Sequence, residues 1–285
     1  MRKRHGIYKS PAELRLMTRP GSLTAASLAA VRAAIAPGVT TLQLDSLAEK
    51  AIREGGGVPN FMKEPGYRHT ICASVNQDVV HGIPGSRVIE AGDIVSIDSG
   101  AEFDGWNGDA AFSVVVPDPS RPGVVAERQK LADVTEQSLW HGIAALSRAS
   151  YLGEVGSAIE DYIETHPSTG SGQGAVRYGI LEDYVGHGIG RSMHEEPPVF
   201  NYRVRDRGPA VRPGLVVAIE PMVTFGGIDT FTGEDGWTVT TSDGSAAAHW
   251  EHSIAVHADG IWVLTAEDGG AAGLAPLGVT PVPIP

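Results

Sequence analysis

Gly92 to Asp109 reads GDIVSIDSGAEFDGWNGD, and it decides the fold because it sets two carboxylates on neighbouring strands of one hairpin. Ile94, Val95 and Ile97 make a short β-forming run, and Asp104-Gly105 followed by Asn107-Gly108 supplies the turn. With the turn near Asp104-Gly105, Asp109 on the returning strand AAFSVVV falls opposite or diagonal to Asp98. Two carboxylates side by side in an apolar setting call for a cation.

Working outward, the second half of the chain repeats the design. GLVVAIE from Gly214 to Glu220 answers GDIVSID from Gly92 to Asp98, so Asp98 and Glu220 are counterparts. Upstream, His81-Gly82-Ile83 in VVHGIP is answered by His187-Gly188-Ile189 in VGHGIG. Further upstream, the stretch from Val39 to Arg53 lies on Ser150 to Glu164, matching Ser46 to Ser157, Glu49 to Glu160 and Ile52 to Ile163. The offsets drift through 111, 106 and 122, as loop insertions cause. Three segments in one order, a helix, then HGI, then a strand ending in an acid, predict an internal duplication whose halves share one site.

At 285 residues, with 42% hydrophobic and 20% charged residues, the chain has the composition of a globular protein with a sizeable core. A formal net charge of −12 argues against general DNA or anionic-membrane binding, and part of that acidity is available as metal ligand. The single cysteine, Cys72, leaves no internal disulfide and suits a reducing compartment. MRKRHGIYKSPAEL has basic residues with no apolar core behind them, so no signal peptide is visible, and no run approaches the ~20 apolar residues of a membrane span. A cytoplasmic, soluble, monomeric protein is expected.

Residues 1–10 read as a basic, frayed tail that offers a transient contact to the ribosome. Ser10 with Glu13 forms a capping box that starts a helix, which Pro20-Gly21 is expected to kink or break. Thr40 with Gln43 starts a second helix that ends at Gly55-Gly56-Gly57. Helices are expected over 126–148 and from about 152 to 164, with a polar surface loop at 166–174. Residues 266–285, rich in Gly and Pro, read as a disordered tail, leaving 11–265 as the catalytic domain.

Five residues, Asp98, Asp109, His187, Glu220 and Glu251, stand in or beside apolar strand patterns. They fall within CASVNQDVVHGIP at 72–84, GDIVSID with GDAAF at 92–112, GHGIGRSMHEEP at 186–197, IEPM at 219–222, and DGWTVTT with WEHSIAV at 235–256. In these motifs the chain resembles the type I methionine aminopeptidases, the pita-bread metallopeptidases, over residues 11–265. The resemblance implies an α/β (α+β) pita-bread fold: two pseudo-symmetric halves around a curved antiparallel sheet, helices outside. It implies removal of the N-terminal methionine of nascent polypeptides when the second residue is small.

Carried over residue by residue, the family's metal ligands fall on Asp98, Asp109, His187, Glu220 and Glu251. Four carboxylates and one neutral imidazole carry a charge that two divalent ions cancel, and oxygen-rich ligation with one nitrogen suits Mn²⁺, Fe²⁺ or Co²⁺. The resemblance makes Glu220 also the general base, His81 a partner of the peptide nitrogen and His194 a donor to the carbonyl oxygen. It places Phe61, Tyr67, Cys72 and Trp237 around an apolar methionine pocket. Met193, where relatives carry an aromatic, and the spacing of FMKEPGY at 61–67 depart from the family pattern. His249, His252 and His257 are read as structural, and Glu195 and Glu196 as residues behind the ligands or in a loop rather than as ligands.

Three rivals share the fold. An X-Pro-cleaving enzyme usually carries a separate N-terminal domain, whereas 97 residues precede Asp98 here, most of them consumed by the first half of the repeat. The type with a long helical insert is disfavoured by the 32 residues between His187 and Glu220. A non-catalytic pita-bread binding protein typically loses ligands, and all five are present.

Overall fold

The structure is a computed structural model that describes residues 6–167 and 177–285. In chain order the elements are α1 (Pro11–Ala34), α2 (Thr41–Glu54), β1 (Val58–Pro59), β2 (Ile71–Val75), β3 (Asp78–Val80), β4 (Ile94–Phe103) and β5 (Trp106–Val115). The second half follows with α3 (Pro122–Leu146), α4 (Gly153–Glu164), β6 (Gly179–Ile180), β7 (Gly186–Gly188), β8 (Glu195–Val199), β9 (Val216–Ile219) and β10 (Met222–Thr224). It closes with β11 (Thr230–Thr232), β12 (Val239–Thr241), β13 (Ala247–His249), β14 (His252–His257), β15 (Gly260–Val263) and α5 (Ala271–Leu274).

The central hairpin forms as its sequence predicts. β4 and β5 pair antiparallel with Asp98 opposite Ala111 and Gly100 opposite Asp109, so the two acids are diagonal neighbours on one face. β2 flanks β4 on its other side, with Cys72 opposite Asp98. Glu220 follows β9, which runs between β7 and β14 in a second sheet ordered β15-β14-β9-β7-β8. The two acid-bearing strands are thus each central in their own sheet. The histidines of the repeat are not equivalent, however: His187 lies in β7 beside β9, whereas the His81 stretch adds to β2, where Ala73 N donates to Gly82 O at 2.8 Å.

A seam joins the sheets at the site. Ala111 and Glu251 form a β-bridge, with N–H···O distances of 3.2 and 2.9 Å. Two residues away on either side, serine hydroxyls continue the same register. Ser113 Oγ donates to His249 O (2.9 Å) and accepts from His249 N (2.9 Å). Ser253 Oγ donates to Asp109 O (2.7 Å) and accepts from Asp109 N (3.1 Å). Backbone groups that a curved sheet would otherwise leave unpaired are satisfied by side chains.

Helices cover the opposite face. Ser27 of α1 hydrogen-bonds Ser99 (3.0 Å), and Thr24 Oγ1 donates to Gly108 O (3.1 Å). Both capping boxes form, at Ser10/Glu13 and Thr40/Gln43. The expected break at Pro20-Gly21 does not occur, since α1 is continuous from Pro11 to Ala34. Pro20-Gly21 is instead where the helix touches the hairpin: a Cβ on Gly108 would lie 2.8 Å from Gly21 N and Pro20 C, and one on Gly21 would strike the Leu264 carbonyl. Close packing offsets the hydrogen bond that proline removes.

Both expected tails are corrected where they are described. Residues 1–5 and most of the 166–174 loop lie outside the described residues. From residue 8 the N-terminus is fastened, with Lys9 N donating to Gly214 O (2.7 Å) and the buried Lys9 Nζ paired with Glu195 (2.8 Å). Residues 266–285 are packed rather than disordered: Leu274 is fully buried, Val282 N donates to Ile261 O (2.9 Å), and Arg15 holds Pro285 O (2.9 Å). Glycine here serves close approach, because a Cβ at Gly273 would enter the Trp140 ring. The tail's Val and Ile side chains meet apolar surface that composition alone does not reveal.

Candidate active site

Asp98 and Asp109 project from the β4/β5 hairpin, His187 from β7, Glu220 from the end of β9 and Glu251 from the seam, and all five converge. His187 Nδ1 lies 2.9 Å from the Gly188 carbonyl, as a protonated nitrogen would, so Nε2 faces the acids, 3.5 Å from Glu220 Oε1 and 3.9 Å from Asp109 Oδ2. Donor atoms of Asp109, His187 and Glu251 lie within 4.8 Å of one another, as do those of Glu220, His249 and Glu251. These trios share Glu251.

The electrostatics are those of a cation site. Burial pushes Asp98 and Glu220 up to about 7, with each other's charge adding at Asp98. Burial, then repulsion from neighbouring acids, drives Asp109 and Glu251 well above the usual carboxylate range. Asp98 Oδ1, Asp109 Oδ1 and Glu251 Oε1 are buried without a hydrogen-bond partner among the described residues. Buried, partnerless carboxylate oxygens are satisfied by divalent ions, so the donor set fits a metal centre.

A prediction follows for the metal-free protein. Its raised carboxylates hold protons that the unfolded chain gives up from about pH 4, so stability is present at low pH and is lost as pH rises towards about 7. We expect the metal-free Tm to fall between about pH 5 and pH 8, and Mn²⁺ or Co²⁺ to raise it more at the upper end. Scanning calorimetry at both pH values checks this; a metal-free Tm that rises with pH contradicts the assignment.

Beside the acids lies a cavity of about 180 Å³ whose apolar wall is Phe61, Tyr67, Cys72 and Met193, with Trp237 packed against them. Tyr67 donates to Ile71 O (2.7 Å) and Cys72 Sγ (3.3 Å), which fixes its ring. Asp235 Oδ1 accepts from Trp237 N and Thr238 N, both at 2.8 Å, and the turn so formed brings the indole 5.0 Å from the Tyr67 ring. Burial, then the charge of Asp98, pushes the Cys72 thiol well up, making it a wall residue and no nucleophile. Met193 occupies the position where an aromatic was expected and still packs in the wall.

His81 and His194 line this cavity and also a second one, of about 360 Å³, that meets Asp98 and Glu220. His81 has a left-handed backbone (φ 59°), unusual for a residue other than glycine, and burial lowers it to about 4, so it is neutral at pH 7. His194 is exposed, its ring 4.5 Å from that of His187. Glu195, the first residue of β8, accepts from Ser192 N (3.0 Å) as well as from Lys9.

His252 and His257 are structural as expected, bonded to Thr265 Oγ1 (2.9 Å) and Val282 O (2.8 Å). His249 is a correction, because its Nε2 lies 3.5 Å from Glu220 Oε2, inside the centre. Its position two residues before Glu251, on the same side of an extended segment, was the available signal. Glu64, at the mouth of the apolar cavity, was also missed, and nothing in its sequence context marks it.

The chain is 46% identical over 263 residues to methionine aminopeptidase 1 of Mycobacterium tuberculosis, covering 90% of this chain and 94% of the relative. The crystal structure of methionine aminopeptidase from Thermotoga maritima superposes with a TM-score of 0.82 at 36% identity, covering 91% of this chain and 99% of the other. A prolidase from Pyrococcus furiosus reaches 0.64 at 18% identity and shares the fold over 91% of this chain and 65% of its own. The family model for metallopeptidase family M24 matches residues 15–258, which carry every candidate ligand, and the chain belongs to that family.

Proposed function

We propose that this protein is a metal-dependent methionine aminopeptidase, removing the initiator methionine of nascent polypeptides in the cytoplasm when the second residue is small. The observation that carries the reading is an apolar cavity walled by Phe61, Tyr67, Cys72 and Met193 that opens directly onto a cluster of four acids and His187. An unbranched apolar side chain fits the cavity while the following peptide bond lies at the acids. The similarity to enzymes named methionine aminopeptidase supports the same substrate.

Asp98, Asp109, His187, Glu220 and Glu251 hold two divalent ions in this reading, with Mn²⁺, Fe²⁺ or Co²⁺ suited to the ligands. Bound there, such ions neutralise the carboxylates, polarise the scissile carbonyl and acidify the attacking water. Glu220 would take the proton of that water and return it to the departing amine. His194 donates to the carbonyl oxygen as it gains charge, and neutral His81 contacts the peptide nitrogen. The wider cavity beyond them receives the remainder of the polypeptide.

The protein acts as a monomer in this reading, and the basic residues before Gly6 offer a transient ribosome contact. Among the described residues no helix is long and apolar enough to cross a membrane.

A second residue must sit beside the metals, where bulk is excluded, so we expect Met-Ala, Met-Gly and Met-Ser peptides to be cleaved at least ~10-fold faster than Met-Leu or Met-Arg. Liquid chromatography of metal-loaded digests measures the ratios. Faster cleavage of Leu-Pro or Arg-Pro than of Met-Ala would move the assignment to the X-Pro peptidases.

A further inference from the structure

His249 is among the most buried polar side chains, 2% exposed, and its Nε2 has no hydrogen-bond partner among the described residues. A buried polar atom of this kind destabilises the fold unless something satisfies it. The acceptor in front of it is Glu220 Oε2 at 3.5 Å, while His187 Nε2 stands 3.5 Å from the other oxygen, Oε1. The Glu220 carboxylate therefore lies between two imidazoles, one facing each oxygen. Both separations exceed a normal hydrogen bond, and contacts of this kind commonly shorten when a site is filled.

The two imidazoles differ in support. His187 comes from β7, and its Nε2 faces two carboxylates. His249 ends β13, its backbone gripped by Ser113 through both N–H and C=O, so the ring is delivered to a fixed place. The strand that carries it pairs with β10, His249 opposite Met222, two residues beyond Glu220. His249 thus approaches Glu220 from a neighbouring strand.

We infer that His249 is a positioning residue: with its proton on Nε2 it donates to Glu220 Oε2, leaving Oε1 directed to the His187 side of the centre. The inference rests on the reading of Glu220 as ligand and base. It adds a specific demand, namely that a hydrogen-bond donor, and not merely volume, is required at position 249.

His249→Gln places an amide N–H near the position of Nε2, whereas His249→Leu keeps volume without a donor and His249→Asn stops short. We expect the Leu and Asn variants to retain the metal content of the parent by elemental analysis, with kcat on Met-Ala-Ser reduced about 10–100-fold and KM little changed. The Gln variant recovers to within about 3-fold. The visible spectrum of the Co²⁺-loaded protein should change in Leu and Asn and return in Gln, because the ligand geometry at Glu220 changes with it. If Leu does not fold, Asn supplies the same comparison.

Parent-like kcat and Co²⁺ spectrum in Leu or Asn overturn the inference. So does loss of metal in those variants, which would make His249 a ligand instead, and so does a Gln variant as impaired as Leu. A parent protein without metal-dependent cleavage would remove the functional reading itself, a result seen before any variant is compared.

Discussion

Asp109→Asn leaves a folded protein whose turnover of a Met-Ala peptide falls by more than the ~10–100-fold typical of losing an outer hydrogen-bond partner of a metal site. Asp109 lies with His187 and Glu251 in one donor trio and diagonal to Asp98 on the hairpin. Asparagine keeps the shape and removes the charge. The fold survives because Asp109 is tied to Ser253 through its backbone, which the substitution does not touch. Removing one of four mutually repelling acids should also raise the metal-free Tm, so activity and metal-free stability move in opposite directions. Near-normal turnover at saturating metal would sink the two-ion assignment.

The second large effect separates His187 from His194, whose rings are 4.5 Å apart. His194→Ala should keep its metal and lose roughly 10²–10³ in kcat, the cost of an oxyanion donor. His187→Ala should lose metal, because its Nε2 faces Glu220 and Asp109 while its other nitrogen is committed to Gly188 O. Elemental analysis and kcat on the same purified preparations decide between them, and the reverse pattern of metal loss would exchange their roles.

The parts of this architecture that local chemistry controls were legible in the sequence. Turn residues placed Asp109 opposite or diagonal to Asp98, and the β4/β5 register makes the placement diagonal. Both capping boxes formed because their hydrogen bonds close within four residues. What failed depended on partners distant in sequence. Pro20-Gly21 read as a break because its compensation, the approach of Gly108, is contributed by a strand more than 80 residues away. The tail after residue 265 read as disorder because the surfaces that receive it, around Trp140 and Ile261, come from earlier parts of the chain. His249 reads as structural because it falls at no ligand position of the family pattern; its spacing from Glu251 hints at the site, but its approach to Glu220 runs across strands.

The seam of Ala111–Glu251, flanked by its two serines, bears on how the molecule can come apart. Asp98 and Asp109 belong to the first sheet, His187 and Glu220 to the second, and Glu251 to the line between them. Metal bound by this set would act as a cross-link between halves that share no disulfide, closed by coordination rather than by covalent bonds. Separation of the halves would then require its release, so that metal concentration would bear on how often the molecule opens, and catalytic readiness and mechanical integrity would rise and fall together.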